Sequence, residues 1–259
     1  MDFLGSHILS VDQFERPDIE RLFAVADEIR PYADRTRITR VLEGCILSSM
    51  FFEPSTRTRI SFGCAFNMLG GEVRETTEVK ASSLAKGESL HDTARVLSGY
   101  SDIIVMRHPE PGSVAEFAAM SRVPVINAGD GPNEHPSQAL LDLYTIRKEM
   151  ESRDRSMDHL RISLIGDLKS GRAVHSLLKL LSLFEHVHFK LVSPPALAAP
   201  PDLVESLLGM GHVVETFHDL ESGLEHVDLL YVTRTLEERF ATQQEAERDR
   251  GLFRVSVAV

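Results

Sequence analysis

The 259-residue chain has no tryptophan, four tyrosines and only two cysteines. Cys45 and Cys64 form no Cys-x-x-Cys pair, so a cysteine zinc site or a disulfide framework is not expected. Cys45 falls in an apolar run and Cys64 in a helical pattern, so both are expected to be reduced thiols in the core. Positive charge is also in short supply: 28 Lys and Arg against 39 Asp and Glu leave a net charge of −11. Such a surface argues against a general affinity for nucleic acid or anionic lipid. It does not exclude an anionic small molecule, because a few arginines in a cleft set their own local potential. No apolar run approaches the ~18–20 residues that span a bilayer. The opening Met1-Asp2-Phe3-Leu4-Gly5-Ser6-His7 lacks the basic region and apolar stretch of a secretory signal. These absences together predict a cytoplasmic protein without membrane segment, metal or cofactor.

What is present is an alternation of strand-length apolar runs with helix-period segments. Ile19, Leu22, Phe23, Ala26 and Ile29 share a helical face, with Pro17 tolerated in the first turn. Residues 44–52 then read as a buried strand and 58–69 as the helix after it. Residues 102–106 and 123–128 are two further strands, and 136–149 is a helix opening on proline. The polar stretch 150–159 is the expected linker. Beyond it the alternation resumes with strands at 161–165, 187–192 and 227–232 and helices at 172–184 and 203–210. The proline-rich residues 194–201 read as a loop, as does the long polar segment 72–91. The pattern predicts an α/β protein of two lobes, each a parallel sheet flanked by helices, divided into residues 1–150 and 151–259. Ligands of such folds collect beyond the carboxyl ends of the strands.

After the strand ending at Phe52 comes Glu53-Pro54-Ser55-Thr56-Arg57-Thr58-Arg59. Hydroxyls, backbone N–H groups and guanidinium at a helix N-terminus suit a phosphate. Simple N-capping by Ser55 or Thr56 is the bland alternative. Arg107-His108-Pro109 follows the next strand, and His135-Pro136-Ser137-Gln138 opens a helix after the one beyond it. His135 and Gln138 there can aim two donors at one carbonyl oxygen, although a histidine that only caps the helix explains the same residues. In the second lobe, Gly166-Asp167-Leu168-Lys169-Ser170-Gly171-Arg172 is neither a Gly-x-Gly-x-x-Gly nor a Walker loop. Arg172 and Arg234 stand at comparable strand ends, where they suit a dicarboxylate or, more plainly, pair with surface acids.

Five segments carry a resemblance. They are Phe-Glu-Pro-Ser-Thr-Arg-Thr-Arg at 52–59, Ser-Ser-Leu-Ala-Lys-Gly-Glu-Ser-Leu at 82–90, Val-Met-Arg-His-Pro at 105–109, His-Pro-Ser-Gln-Ala-Leu-Leu-Asp-Leu at 135–143 and Gly-Asp-Leu-Lys-Ser-Gly-Arg at 166–172. In this order they resemble the aspartate/ornithine carbamoyltransferase family, and the Lys86 loop and paired arginines resemble its aspartate-specific catalytic chains. The resemblance runs to about Phe240. It implies that Ser55, Thr56, Arg57 and Thr58 hold the phosphate of carbamoyl phosphate. Arg107, His135 and Gln138 would reach the carbamoyl group, with Arg107 also on the phosphate, and Arg172 and Arg234 would receive the carboxylates of L-aspartate. Ser82 and Lys86 would enter a neighbouring subunit's site, so that the unit is a homotrimer with shared active sites. The implied product is N-carbamoyl-L-aspartate, a step of pyrimidine biosynthesis. A regulatory chain or a dihydroorotase is an allowed further partner.

Three positions depart from the family pattern. Gly63 stands where the family commonly has glutamate, and Leu236 where it places a glutamine that contacts aspartate. Leucine cannot donate that hydrogen bond, a loss of ~0.5–1.5 kcal/mol. The family also continues to a His-Pro-Leu-Pro segment and a returning helix, whereas this sequence runs out at Val259, so an incomplete second lobe is expected. A catalytically impaired homologue with an assembly or regulatory role is therefore the rival reading, and an ornithine carbamoyltransferase a more distant one.

Overall fold

A computed structural model describes residues 1–77 and 86–233. Two compact units are present, Met1–Gln138 and one beginning at Ala139. The first is built on a four-stranded parallel sheet of β1 (Ile46–Phe51), β2 (Glu72–Thr76), β3 (Ile103–His108) and β4 (Val125–Asp130), in the order β2-β1-β3-β4. Alternate side chains of a strand point to opposite faces. Accordingly Ile104 and Met106 pack with Met50, Phe52, Ala94, Val114 and Phe117 on one face. Val105 packs with Leu47, Phe51 and Ala128 on the other. Helices α1 (Arg16–Ala33), α2 (Thr56–Met68), α3 (Leu90–Leu97) and α4 (Ser113–Ala118) belong to this unit. A strand covered on both faces reads as an unbroken apolar run, which is why β1, β3 and β4 stand out in the sequence.

Helix α5 (Pro136–Glu151) begins in the first unit and continues through the point of division. The second unit repeats the plan with β5 (Arg161–Ile165), β6 (His188–Val192), β7 (Val213–Phe217) and β8 (Leu229–Val232), all parallel, in the order β7-β6-β5-β8. Its helices are α6 (Arg172–Leu181), α7 (Pro201–Gly209) and α8 (Leu220–Leu224). Ile162, Leu164, Ile165, Leu177, Leu181, Phe189 and Leu191 form its core. Tyr231 on β8 donates to Asp142 of α5 at 2.8 Å. Burial first, then the Asp142 charge, pushes the phenol up, so it remains a donor.

The fold class is as expected: α/β, with two parallel sheets flanked by helices. Within it, residues 72–91 are not one loop, since β2 occupies 72–76 and α3 begins at 90. β2 and β7 are edge strands that bury few side chains, so their polar residues hide the period of two. The two thiols are free but not in the core: Cys45 is half-buried and Cys64 exposed. Among the described residues no helix is long and apolar enough to cross a membrane.

In the first sheet the chain leaves β1 towards β2 and β3 towards β4, in opposite directions, and a crevice opens between β1 and β3 at the carboxyl ends. In the second sheet the carboxyl ends of β5 and β8 lie side by side. Gly166 follows β5 there with φ +120°, and a Cβ on it would stand 2.6 Å from the Thr233 carbonyl oxygen. Only glycine lets the two strand ends approach so closely.

At the opposite end of β8, Asp228 ties the expected linker to the sheet. Its carboxylate accepts from the Arg161 backbone N–H at 3.0 Å and from Arg161 Nη2 at 2.9 Å, and it pairs with Arg155. Burial raises its pKa, but the hydrogen bonds from Arg161 and Arg155 outweigh that and hold the carboxyl at about 2. An unfolded aspartate titrates near ~3.9. Because the folded value is depressed, this stabilisation is complete above pH ~4 and is lost as pH falls towards 2. With both arginines partly exposed and screened, it amounts to about 2 kcal/mol. Asp228→Asn is expected to lower urea-unfolding stability by roughly that amount at pH 7 and to flatten the acid limb below pH ~4. Equal destabilisation at pH 7 and pH 3 would refute the assignment.

Candidate functional site

The crevice of the first sheet is built from three strand ends. Beyond β1 the chain turns through Glu53 and Pro54, and Ser55 takes the N-cap position of α2 with extended backbone, φ −158° and ψ 108°. Its hydroxyl makes no capping bond, and the first turn holds no acidic residue. Capping by Ser55, the bland reading, is therefore not what this serine does. Arg57 sits in this first turn, exposed, and Arg59 pairs with Glu75 of β2. A cation at the positive end of a helix dipole is unfavourable by ~0.3–1 kcal/mol unless an anion answers it. A local rule is broken here, which makes the place a candidate for one.

Arg107 closes β3. It is 9% exposed, and its side chain lies along Gly129, where a Cβ would come within 3.4 Å of its Cγ, Nε and Cζ. Gly129 has φ +126°, a conformation that also favours glycine. Arg107 Nη2 donates to Glu53 Oε1 at 2.8 Å, and Nε, though buried, has no partner among the described residues. Nη1 stands 3.4 Å from His135 Nε2.

His135 precedes α5, and its Nδ1 accepts from the Gln138 backbone N–H at 3.3 Å. The same N–H also donates to the His135 carbonyl at 3.1 Å, and Ser137 Oγ lies 3.4 Å from Nδ1. On the other side of the ring Arg107 Nη1, which can only donate, is within hydrogen-bond distance of Nε2. The structure thus brings Arg107 and His135 together, and it places the Gln138 N–H behind the imidazole.

In the second unit, β5 runs into Gly166 and Asp167. Asp167 is buried; its Oδ1 accepts from the Ser170 N–H at 2.9 Å, while Oδ2 has no partner among the described residues. Arg172 is the first residue of α6 and is half-buried. His175 Nε2 reaches the Leu168 carbonyl oxygen at 2.7 Å, bracing the loop that delivers Arg172. Lys86 is exposed. Ser82, Arg234 and Leu236 lie outside the described residues. Gly63 is inside α2, where a Cβ would meet Glu75 Oε1 only at an ordinary 3.8 Å.

Sequence reasoning missed Glu53, the ion-pair partner of Arg107, and Asp167. A signal existed for both, since each is an acid set beside a strand end within a motif already under scrutiny. Glu134, whose carboxylate binds Ser10 and Val11, carried no such signal.

Comparison with known proteins agrees with this fold. Residues 6–148 match the family model for the aspartate/ornithine carbamoyltransferase carbamoyl-P binding domain, and residues 158–255 that for the Asp/Orn binding domain. The aspartate carbamoyltransferase catalytic subunit of Saccharophagus degradans is 66% identical over the whole chain, which covers 77% of that relative. The same subunit of Cellvibrio japonicus is 64% identical with the same coverage. The solved catalytic subunit of M. jannaschii aspartate transcarbamoylase superposes with TM-score 0.90 at 45% identity, over 96% of this chain and 80% of that one. Trypanosoma cruzi aspartate transcarbamoylase, solved with carbamoyl phosphate and aspartate, gives 0.84 at 41% identity, over 96% and 77%. On the match of both domain models and of relatives along its full length, the chain belongs to the aspartate/ornithine carbamoyltransferase family.

Proposed function

We propose that this chain is an aspartate carbamoyltransferase, moving the carbamoyl group of carbamoyl phosphate to the amine of L-aspartate. The products are N-carbamoyl-L-aspartate and phosphate, and the reaction belongs to pyrimidine biosynthesis. The observation that carries the reading is the meeting of Arg107 and His135, whose Nη1 and Nε2 lie 3.4 Å apart, in the unit whose helix α2 starts without a side-chain cap. Residues 1–150 then hold carbamoyl phosphate and residues 151–259 hold aspartate. Ser55, Thr56, Arg57 and Thr58 take the phosphate at the helix N-terminus. Arg107 exchanges Glu53 for that phosphate and the carbamoyl oxygen, while His135 and Gln138 hold the oxygen from the other side. Arg172, Arg234 and Lys86 receive the aspartate carboxylates.

The chemistry needs little else. The aspartate amine forms a C–N bond to the carbamoyl carbon, and the carbonyl π electrons move onto oxygen, where Arg107 and His135 stabilise them. Collapse of this tetrahedral species breaks the C–O bond to phosphate, and the departing phosphate takes up the amine proton and leaves as the hydrogen phosphate dianion. The acyl phosphate is already activated, so no protein nucleophile is required. Rate comes from holding two anions in reacting geometry and from donors set in advance for the oxyanion.

Ser82 and Lys86 are assigned to a neighbouring subunit's site in a homotrimer. Apolar exposure supports association: Ile38 is 92% and Val41 71% exposed. Ile38 lines a concavity of about 670 Å³ walled by Arg35, Arg37 and Arg40. A cytoplasmic location fits the two free thiols. A regulatory chain or a dihydroorotase would be a further partner of the trimer. The rival, an impaired homologue with an assembly role, is favoured by Leu236 at the place of the family's aspartate-contacting glutamine.

One assay separates these readings. Carbamoyl phosphate offered with aspartate is expected to give carbamoylated product, and with ornithine none; a folded oligomer that turns over neither would sink the proposal. Arg57→Ala removes a charge-assisted bond worth ~1.5–3 kcal/mol, so titration calorimetry should find carbamoyl phosphate bound about ten- to a hundredfold more weakly. Unchanged affinity would take Arg57 out of the site. Mixing inactive Lys86→Ala with inactive Arg57→Ala subunits is expected to restore part of the activity, and verified mixed oligomers that stay dead would exclude shared sites.

A further inference from the structure

We infer that Glu134 is a positioning residue for His135, anchoring it to a strap formed by residues 7–13 at the amino end of the chain. The inference rests on the role given to His135 above, but its geometry stands by itself. The strap lies along the free edge of β4. The Ile8 N–H donates to the Val125 carbonyl and the Asn127 N–H to the Ile8 carbonyl, both at 2.8 Å. The Val125 N–H meets His7 Nδ1 at 3.0 Å, and Asn127 Nδ2 donates to the Leu9 carbonyl at 2.8 Å.

The strap is braced internally. Gln13 Oε1 accepts the Leu9 and Ser10 N–H groups at 2.6 and 3.0 Å, its Nε2 donates to the His7 carbonyl at 3.2 Å, and Val11 and Phe14 are buried.

Glu134 meets this braced strap with both carboxylate oxygens. Ser10 Oγ donates to Oε1 at 3.0 Å and the Val11 N–H to Oε2 at 2.9 Å. Its main chain is fixed separately, since the Glu134 carbonyl accepts the Asp130 N–H at 3.1 Å. One peptide on, His135 turns into α5 with Nδ1 on the Gln138 N–H and Nε2 facing Arg107. A residue pinned by side chain and backbone cannot rotate without carrying the next imidazole with it. Misplacement of a reacting group by about 1 Å can lower a rate ~10²-fold. The bidentate hold also differs from capping, because it spans 123 and 124 positions of sequence. Loosening the strap should therefore reach the imidazole that faces Arg107.

The test uses the full-length protein with ¹⁵N-labelled histidine. Glu134→Ala is expected to lower kcat between ten- and a hundredfold, to leave KM for aspartate within about threefold, and to shift the His135 ring ¹⁵N signals from their wild-type positions. Glu134→Gln keeps an acceptor for the strap and should restore both signals and turnover to within a few fold. Ser10→Ala, which removes one of the two donors, should give a smaller change in the same direction and serves if Glu134→Ala fails to fold. Unaltered His135 signals in a folded Glu134→Ala protein would overturn the inference. Independently, wild-type turnover in His135→Ala would overturn the catalytic role of that histidine without touching the coupling of Glu134 to its ring.

Discussion

A guanidinium that is almost wholly buried must be answered on every donor, and Arg107 is not. Glu53 takes one Nη, His135 Nε2 stands 3.4 Å from the other, and Nε has no partner among the described residues. Burying a charge with an incomplete set of partners costs several kcal/mol in an ordinary core. A protein with 39 acidic residues has acceptors in abundance, so the deficit at Arg107 comes from exclusion rather than scarcity. Gly129 lets the side chain lie flat, α2 brings no acid to its first turn, and the Glu53 carboxylate binds through one Arg107 nitrogen. On the proposed function, an arriving anion would meet that demand.

On the proposed function, Glu53 would give the arrangement its selectivity. Without it, Arg107 would be a bare buried cation, attractive to any small anion and a threat to folding. With it, a ligand must replace an existing charge-assisted hydrogen bond before gaining its own. A monoanion offers little over what it displaces. A phosphate dianion that reaches Arg107 and the start of α2 together has two sources of attraction to set against one loss. Discrimination of this kind is a difference between bound states, so it needs no tight fit around the phosphate. On the same proposal it would concentrate the favourable contacts on the oxygen whose charge grows during attack, which is where contacts accelerate a reaction.

How far the sequence led follows from the range of each interaction. β1, β3, β4, β5 and β6 announce themselves because both faces are covered. β2 and β7 do not, since residues such as Glu72, Arg74 and Glu75 face water from an edge and no apolar alternation survives. The short helices α4 and α8 have too few turns to show a period of 3.6. Within the site, the groups of Ser55–Arg59 and His135–Gln138 are legible because each lies within one turn of one element. Partnerships across the sheet are not. Glu53 is 54 residues from Arg107, and Ser10 is 124 from Glu134. Only the parallel register of β1 with β3, and of the strap with β4, makes them neighbours.

The two readings of His135, helix cap or functional donor, turn out not to compete. An imidazole has two nitrogens about 2 Å apart on opposite sides of one rigid ring, and a neutral ring must accept at one if it donates at the other. The cap uses the acceptor: the Gln138 N–H takes the Nδ1 lone pair, as any N-cap side chain would be used. Nε2, the other ring nitrogen, stands 3.4 Å from Arg107 Nη1, so the cap and the role proposed for this histidine use different atoms of one ring. A serine or aspartate at this position would cap α5 as well or better, yet could not present a second ring nitrogen to Arg107. The choice of histidine for a role that smaller residues fill more often is explained only when both ends of the ring are counted.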